Sequence, residues 1–205
     1  GVTALDLALI QRHILNVQML DSPYKIIAAD VDVSGLVSGI DLVKIQQLIL
    51  NITTEFPDFN SWRFVDQKYT FLNPTNPVVE AFPESIDFDM LRRDTANNDF
   101  IAMKLGDVNI SAMGLEEEDG NLNLVITETV NEYGERLVQF RSAEYTTISA
   151  YQFDIWFDQY EMELVEVIPG SLPGLNETYF GKQQLSEGVI KTLWFDPTGN
   201  VDGWE

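Results

Sequence analysis

The sequence lacks cysteine, has a single histidine and is poor in basic residues. Without cysteine the protein can form neither a disulfide nor a thiolate zinc site, and thiol catalysis is excluded. His13 alone cannot supply a pair of histidine ligands, and the chain has no Gly-x-Ser-x-Gly nucleophile motif and no Gly-rich phosphate loop. The sequence therefore predicts no catalytic residue and no enzyme.

The excess of acidic residues limits the partners that the protein can have. With 33 Asp and Glu against 12 Lys and Arg, the formal net charge of the 205-residue chain is −21. Nucleic acids and anionic membrane surfaces both need a positive footprint, and no apolar run approaches the ~20 residues of a spanning helix. We therefore expect no nucleic-acid binding and no membrane insertion, whereas the many carboxylates suit the chain to bind cations.

The N-terminal part contains an internal repeat, because residues 2–16 recur as residues 37–51. In both copies the apolar residues fall at helical spacing. They are Leu7, Ile10 and Ile14 in the first copy, and Leu42, Ile45 and Ile49 in the second. Each copy predicts a loop followed by an amphipathic helix, and we expect the two apolar stripes to pack together. Between the copies, Ser22 and Pro23 predict the start of a short helix that runs to Ala29.

The loop before the second repeat helix has the spacing of a calcium-binding loop. Oxygen-bearing side chains occupy positions 1, 3, 5 and 12 of this loop, and a glycine for the sharp turn occupies position 6. The predicted ligands are Asp30, Asp32, Ser34, the backbone carbonyl of Leu36, and Asp41. Because these oxygens repel one another without a cation, we expect Ca²⁺ binding to be coupled to folding of the helix pair.

These residues resemble a dockerin module, a tandem calcium-loop-plus-helix domain of extracellular scaffolds, and the resemblance covers about residues 1–57. It implies two calcium ions, one for each repeat, and docking to a cohesin partner. By register, Asp6 takes position 12 of the first loop, and the earlier ligands of that loop are expected before Gly1.

The resemblance also places two residue pairs where the family carries its recognition residues, which are commonly Ser-Thr. Here the pairs are Ala4-Leu5 and Gly39-Ile40, which are apolar. Apolar residues at the start of both helices would form an exposed patch on a very acidic surface. We therefore expect both pairs to face protein, most simply the segment 58–105 of the same chain.

Residues 58–111 form a β-rich connector that we expect to pack on the helix pair. Alternation predicts strands at 62–65 and 99–105, and a further short strand at 69–71. The segments Trp-Arg-Phe-Val-Asp and Lys-Leu-Gly-Asp-Val-Asn resemble those of large multidomain surface proteins of Bacteroidetes. Residues 106–111 resemble the start of a calcium loop, but no glycine at position 6 and no helix with Asp at position 12 follow. We interpret them as a turn that ends the unit.

From residue 112 onward the sequence predicts an antiparallel β-sandwich. The hydrophobic period changes to two after Leu122, and we expect strands near 122–126, 137–140, 151–157, 162–168 and 189–195. Four acidic residues at 116–119 predict a solvated hinge before this domain. The segment Tyr-Gln-Phe-Asp-Ile-Trp-Phe-Asp resembles a cohesin-like sandwich, which is normally longer.

We therefore expect this sandwich to be truncated. In that case Trp194 and Phe195 on the last strand would find their neighbours in residues beyond Glu205 or in another copy of the chain, which makes self-assembly a possible role.

The fold class expected from the sequence is a multidomain α plus all-β chain: 1–57, the dockerin-like helix pair; 58–111, the connector; and 112–205, the cohesin-like sandwich. The expected function is that of a non-catalytic, calcium-stabilised structural or protein-interaction segment of a large extracellular surface or scaffold protein. Its partners would be other domains of the same chain or a cohesin-like protein. Two alternatives remain open, a filament or spacer subunit and an accessory carbohydrate-binding part that stacks sugars on Trp156, Trp194 and Trp204.

Overall fold

Three helices form the N-terminal part of the protein. The computed structural model describes residues 1–56, 60–90, 94, 96–113, 122–144 and 147–200. The helices are α1 (Ala4–Ile14), α2 (Pro23–Ala29) and α3 (Gly39–Ile49). All three expected helices are thus present, and α1 packs against α3. Each repeat buries its apolar stripe, because this burial supplies the free energy that an isolated helix of this length lacks.

Capping residues fix the first residue of each helix. The carboxylate of Asp6 accepts the backbone N–H of Thr3 at 2.8 Å, and the carboxylate of Asp41 accepts that of Ser38 at the same distance. Both are the reciprocal half of a capping box. For α2, the Ser22 hydroxyl accepts the N–H of Tyr24.

Two antiparallel strands, β1 (Trp62–Asp66) and β2 (Phe100–Lys104), form the sheet of the connector. They confirm two of the three strands expected there, and β2 contacts α2. The expected strand at 69–71 does not form. Phe71 instead inserts its ring edge-on between those of Tyr24, Tyr69 and Phe82, with centroids 5.2–5.8 Å away. Ring packing rather than strand pairing therefore decides the conformation of this segment.

The C-terminal part consists of two small antiparallel sheets. The strands β3 (Leu124–Val130) and β4 (Arg136–Ser142) form a two-stranded hairpin. The strands β5 (Ala150–Trp156), β6 (Phe180–Gly181) and β7 (Val189–Phe195) form the other sheet in the order β5-β7-β6. The strand expected at 162–168 does not form, and most of its residues lie exposed. The chain is thus a mixture of helices and antiparallel sheets, and the acidic segment 116–119 lies outside the described residues.

One hydrophobic core joins the helices to the three-stranded sheet. It includes Leu7, Ile10 and Ile45 from the repeat helices together with Leu193 and Trp194 from β7. The expectation that Trp194 and Phe195 lack neighbours within the chain is wrong, since both are buried.

The neighbours of these two rings come from the same chain. The ring of Trp194 stacks on Tyr151 at 6.2 Å, and its indole N–H donates to the Pro173 carbonyl at 2.9 Å. Phe195 packs against the ring of Tyr179. α1 contacts both β5 and β7, so a helix and the loop around residue 173 supply the packing that we expected from further strands.

The strand β6 packs closely against the end of α3 at Gly181. A Cβ atom at Gly181 would collide with the backbone carbonyl of Leu50, the residue that follows α3. We expect Gly181→Ala to lower the free energy of unfolding by about 2 kcal/mol, because the backbones of β6 and the α3 end must separate. Urea unfolding measures this.

Gly39→Ala is the matched control, since nothing lies within 4 Å of a Cβ atom there and alanine favours the first turn of a helix. Its stability should be equal to or slightly above that of the wild type. Equal stability of the Gly181 variant and the wild type would contradict this packing.

Candidate metal centre

Three carboxylates converge in the loop between α2 and α3. This local loop, residues 30–41, places Asp30 directly after α2 and Asp41 in the first turn of α3. One carboxylate oxygen from each of Asp30, Asp32 and Asp41 lies within 4.8 Å of the others. Asp30 and Asp41 are buried, and Asp32 is half-buried. The structure therefore brings together the three acidic ligands that the spacing predicted.

The backbone of the local loop wraps around these carboxylates. The N–H of Ser34 donates to Asp30 Oδ1 at 3.0 Å and to Asp32 Oδ1 at 3.1 Å, and the N–H of Gly35 donates to Asp30 Oδ2 at 2.9 Å. Gly35 has φ +83°, a left-handed conformation that glycine adopts without strain. The Ser34 hydroxyl donates to the Leu36 carbonyl at 3.2 Å. The five predicted ligands thus belong to one hydrogen-bonded turn.

The charge in the local loop is only partly compensated by the protein. Burial raises the pKa of Asp30 and of Asp41, and repulsion from neighbouring carboxylates raises both further. For Asp32, burial is outweighed by the Ser34 hydroxyl and the Lys44 ammonium, which together lower its pKa. The Lys44 ammonium lies 3.6 Å from Asp32 Oδ2 and is half-exposed. One lysine thus faces three carboxylates, and a cation of higher charge would be favoured there.

A second arrangement of this kind is assembled from two distant segments of the chain. The Oδ1 atom of Asp6 accepts the N–H groups of Val108 at 2.8 Å and Asn109 at 3.1 Å, across 102 residues of sequence to Val108. The N–H of Ser111 donates to Asp107 Oδ1 at 3.1 Å and to Asn109 Oδ1 at 3.0 Å. We call Asp6 together with residues 107–111 the split loop. Its two aspartates are buried.

The split loop reproduces the local loop bond by bond. Asp6 takes the place of Asp41, which accepts the N–H groups of Val31 at 2.9 Å and Asp32 at 3.4 Å. The counterparts of Asp30, Asp32, Ser34 and the Leu36 carbonyl are Asp107, Asn109, Ser111 and the Gly1 carbonyl, to which the Ser111 hydroxyl donates at 2.9 Å. Val33 and Ile110, both at position 4, share a left-handed conformation with φ +52° and +66°.

This arrangement bears on two sequence interpretations. The earlier ligands of the loop that ends at Asp6 were expected before Gly1, whereas the structure places Val108 and Asn109 within hydrogen-bonding distance of Asp6. Residues 106–111 form a turn, as interpreted, and this turn carries the backbone N–H groups that Asp6 accepts. Position 6 of this loop is Ala112 instead of glycine. Its N–H nevertheless donates to Asp107 Oδ2 at 2.8 Å, as the N–H of Gly35 does to Asp30, and the chain continues in a short 3-10 helix (Ser111–Met113). The signal was available in the matching sequences Asp-Val-Asp-Val-Ser and Asp-Val-Asn-Ile-Ser.

The two apolar pairs at the helix starts have different surroundings. Ala4 is buried and its N–H donates to Gln152 Oε1 on β5 at 3.2 Å, while Leu5 is half-buried. Gly39 is exposed and Ile40 is 60% exposed. The expectation that both pairs are covered within the chain is therefore wrong for the second pair. Ala4 is covered by β5 rather than by the segment 58–105, which was the expected cover.

The tryptophans do not gather into a sugar-stacking surface within the described residues. Trp156 is 74% exposed, whereas Trp194 is buried in the core, and Trp204 lies outside the described residues. His13, the single histidine, accepts the N–H of Leu20 at its Nδ1 atom, and burial lowers its pKa. Neither observation favours carbohydrate binding or catalysis.

No protein-family model, curated protein or solved structure matches the chain. Among the described residues, no helix combines the length and the apolar character needed to cross a membrane.

The buried carboxylate of Asp6 makes the stability of the metal-free protein depend on pH. Burial raises its pKa from 3.8 to about 6, and repulsion from Asp107 adds to the effect. Because the folded state binds the proton of Asp6 more tightly than the unfolded state does, protonation of Asp6 adds to the free energy of unfolding. This addition is complete below about pH 4, is lost as the pH rises through about 6, and amounts to about 3 kcal/mol.

Asp6→Asn should therefore flatten the fall in the free energy of unfolding between pH 4 and pH 7 in calcium-free buffer. Asp30 and Asp41 act in the same direction and leave part of the slope. Asp87→Asn, which removes an exposed carboxylate, should keep the whole slope. Urea unfolding at several pH values tests this, and identical slopes for both variants would contradict it.

Proposed function

We propose that this protein is a non-catalytic, calcium-stabilised structural and protein-interaction segment of a large extracellular surface or scaffold protein. The observation that carries the proposal is the convergence of Asp30, Asp32 and Asp41 within 4.8 Å in the local loop. A buried cluster of like charges is costly unless a cation compensates it. The local loop offers carboxylate, hydroxyl and carbonyl oxygens and no nitrogen or sulfur ligand, a donor set that suits a hard divalent cation.

Calcium suits this donor set better than magnesium. Ca²⁺ accepts six to eight oxygen ligands in flexible geometry, including backbone carbonyls, whereas Mg²⁺ demands an octahedron and keeps several waters. The spacing of Asp30, Asp32, Ser34, the Leu36 carbonyl and Asp41 is that of a calcium loop. The turn already holds these groups together through backbone N–H donors, so little reorganisation is needed when the ion binds.

The equivalence of the split loop to the local loop supports a second ion for each chain. Asp6, Asp107, Asn109 and Ser111 supply the corresponding oxygens, with one carboxylate replaced by an amide. Because affinity in such loops follows the number of carboxylates, we expect this ion to bind more weakly than the one in the local loop.

The finer parts of the proposal follow from the resemblances. The helix pair is dockerin-like, which is supported by the sequence repeat and by the identical capping contacts of Asp6 and Asp41. For the C-terminal part the resemblance is to a cohesin-like domain, and the antiparallel sheets there support this part of the proposal. The exposed Gly39 and Ile40 are the residues that remain free to contact a partner, since Ala4 is already buried within the chain.

Calcium binding can be tested by thermal unfolding of Asp30→Asn. In excess calcium this variant should melt below the wild type, because one ligand charge is lost and ligand binding stabilises only the folded state. In chelator it should melt at the same temperature as the wild type or higher, because repulsion among the three carboxylates is relieved. Asp87→Asn is the charge-matched control and should follow the wild type in both conditions.

The decisive result is that the variant melts below the wild type in calcium but not in chelator. If the wild type itself melts at the same temperature with calcium and with chelator, the local loop holds no calcium and the proposal is wrong.

A further inference from the structure

The split loop joins parts of the chain that belong to different units. Asp6 lies on α1, whereas residues 107–111 follow the strand β2 after the two residues Leu105 and Gly106. The connecting residues are tightly packed, since Leu105 and Val108 are fully buried and the N–H of Gly106 donates to the Ala28 carbonyl at 2.8 Å. Gly106 has φ +85°, and a Cβ atom there would lie 3.1 Å from the side chain of Val2. Residues 105–108 thus pass between the start of the chain and α2.

The same joint carries two buried carboxylates of like charge. Asp6 and Asp107 are both buried, and no basic side chain forms an ion pair with either of them within the described residues. The ammonium group of Gly1 lies at this loop but donates to the Ser111 hydroxyl at 2.6 Å rather than to a carboxylate. Two like charges across a buried contact oppose its closure, whereas a shared divalent cation favours it. A divalent cation in the split loop would therefore make the electrostatic contribution to this contact more favourable.

The local loop does not join distant segments of the chain. Its ligands lie on one continuous segment between α2 and α3, so an ion there stabilises a turn that the sequence already holds together. In the split loop the ligands approach from segments 102 residues apart, so an ion there stabilises tertiary docking.

We propose that calcium in the split loop acts as a clasp that holds the β1–β2 connector against the helix pair. This inference rests on the proposed function, because it requires that the loops bind calcium. When calcium is removed, repulsion between Asp6 and Asp107 favours opening of the 105–111 segment. The protein is then a segment whose stiffness depends on calcium, because the connector undocks while the local loop and the helices can remain folded.

Hydrogen–deuterium exchange of the 205-residue chain, in calcium and in chelator, tests the clasp. The amides of Gly106, Val108 and Asn109 report on it, since they donate to the Ala28 carbonyl and to Asp6. At a calcium concentration about 100 times the dissociation constant, their exchange should slow by up to about 100-fold. The amides of Val31 and Gly35 report separately on the local loop.

Variants separate the two loops. Asp107→Asn should abolish the effect of calcium on residues 105–111 and retain it on residues 30–41, and Asp30→Asn should do the reverse. Asn109→Asp restores the carboxylate present at the equivalent Asp32, so it should lower the calcium concentration needed to protect residues 105–111 by about tenfold or more. This gain in affinity is measured on a variant that keeps every protein hydrogen-bond acceptor of the split loop.

If calcium protects residues 30–41 but leaves residues 105–111 unchanged in the wild type and in Asn109→Asp, the proposal of a clasp is wrong, whereas the proposal that the local loop binds calcium stands. If calcium protects neither segment, both are wrong.

Discussion

The buried carboxylate in the first turn of each repeat helix is the contact on which the other features of the N-terminal part depend. Asp6 and Asp41 each use one oxygen to cap their own helix and the other to accept two backbone N–H groups of a loop. A single side chain thus fixes where the helix begins and where the loop lies. Because both carboxylates are buried, the arrangement creates a demand for positive charge that one lysine at the local loop only partly meets.

Hydrophobic packing, rather than this charge, joins the helices, the loops and the connector into one core. The repeat helices bury their stripes against each other and against β7 in a single core. At the local loop this packing holds the helices on both sides, so a cation there acts on ligands whose positions are already set and binds with little loss of conformational entropy. At the split loop the contact between residues 107–111 and Asp6 is itself what we propose that the ion stabilises.

The sequence predicts the local features of this protein well. The repeat, the three helices, the convergence of Asp30, Asp32 and Asp41, and most strands follow from spacing and alternation, because these patterns depend on residues close together in the chain. The segments at 69–71 and 162–168 have strand-like composition but form no strand, since strand formation also requires a partner that composition does not provide.

Contacts between distant segments could not be derived in this way. The start of each repeat helix has the same pattern, yet Ala4 is covered by β5 and Ile40 is exposed. Likewise, the partner of Asp6 is a segment after β2 that matches the local loop in sequence, but nothing in the pattern shows that the two halves meet. The packing of residues 105–108 against α2 and against the start of the chain brings them together.

Native mass spectrometry of the chain, exchanged into a calcium-containing volatile buffer, tests the central claim most directly because it counts bound ions. The account predicts two calcium ions for each chain, one in the local loop and a weaker one in the split loop. Asp30→Asn and Asp107→Asn should each remove one. A chain that carries no ion beyond the nonspecific adducts seen with magnesium would contradict the account.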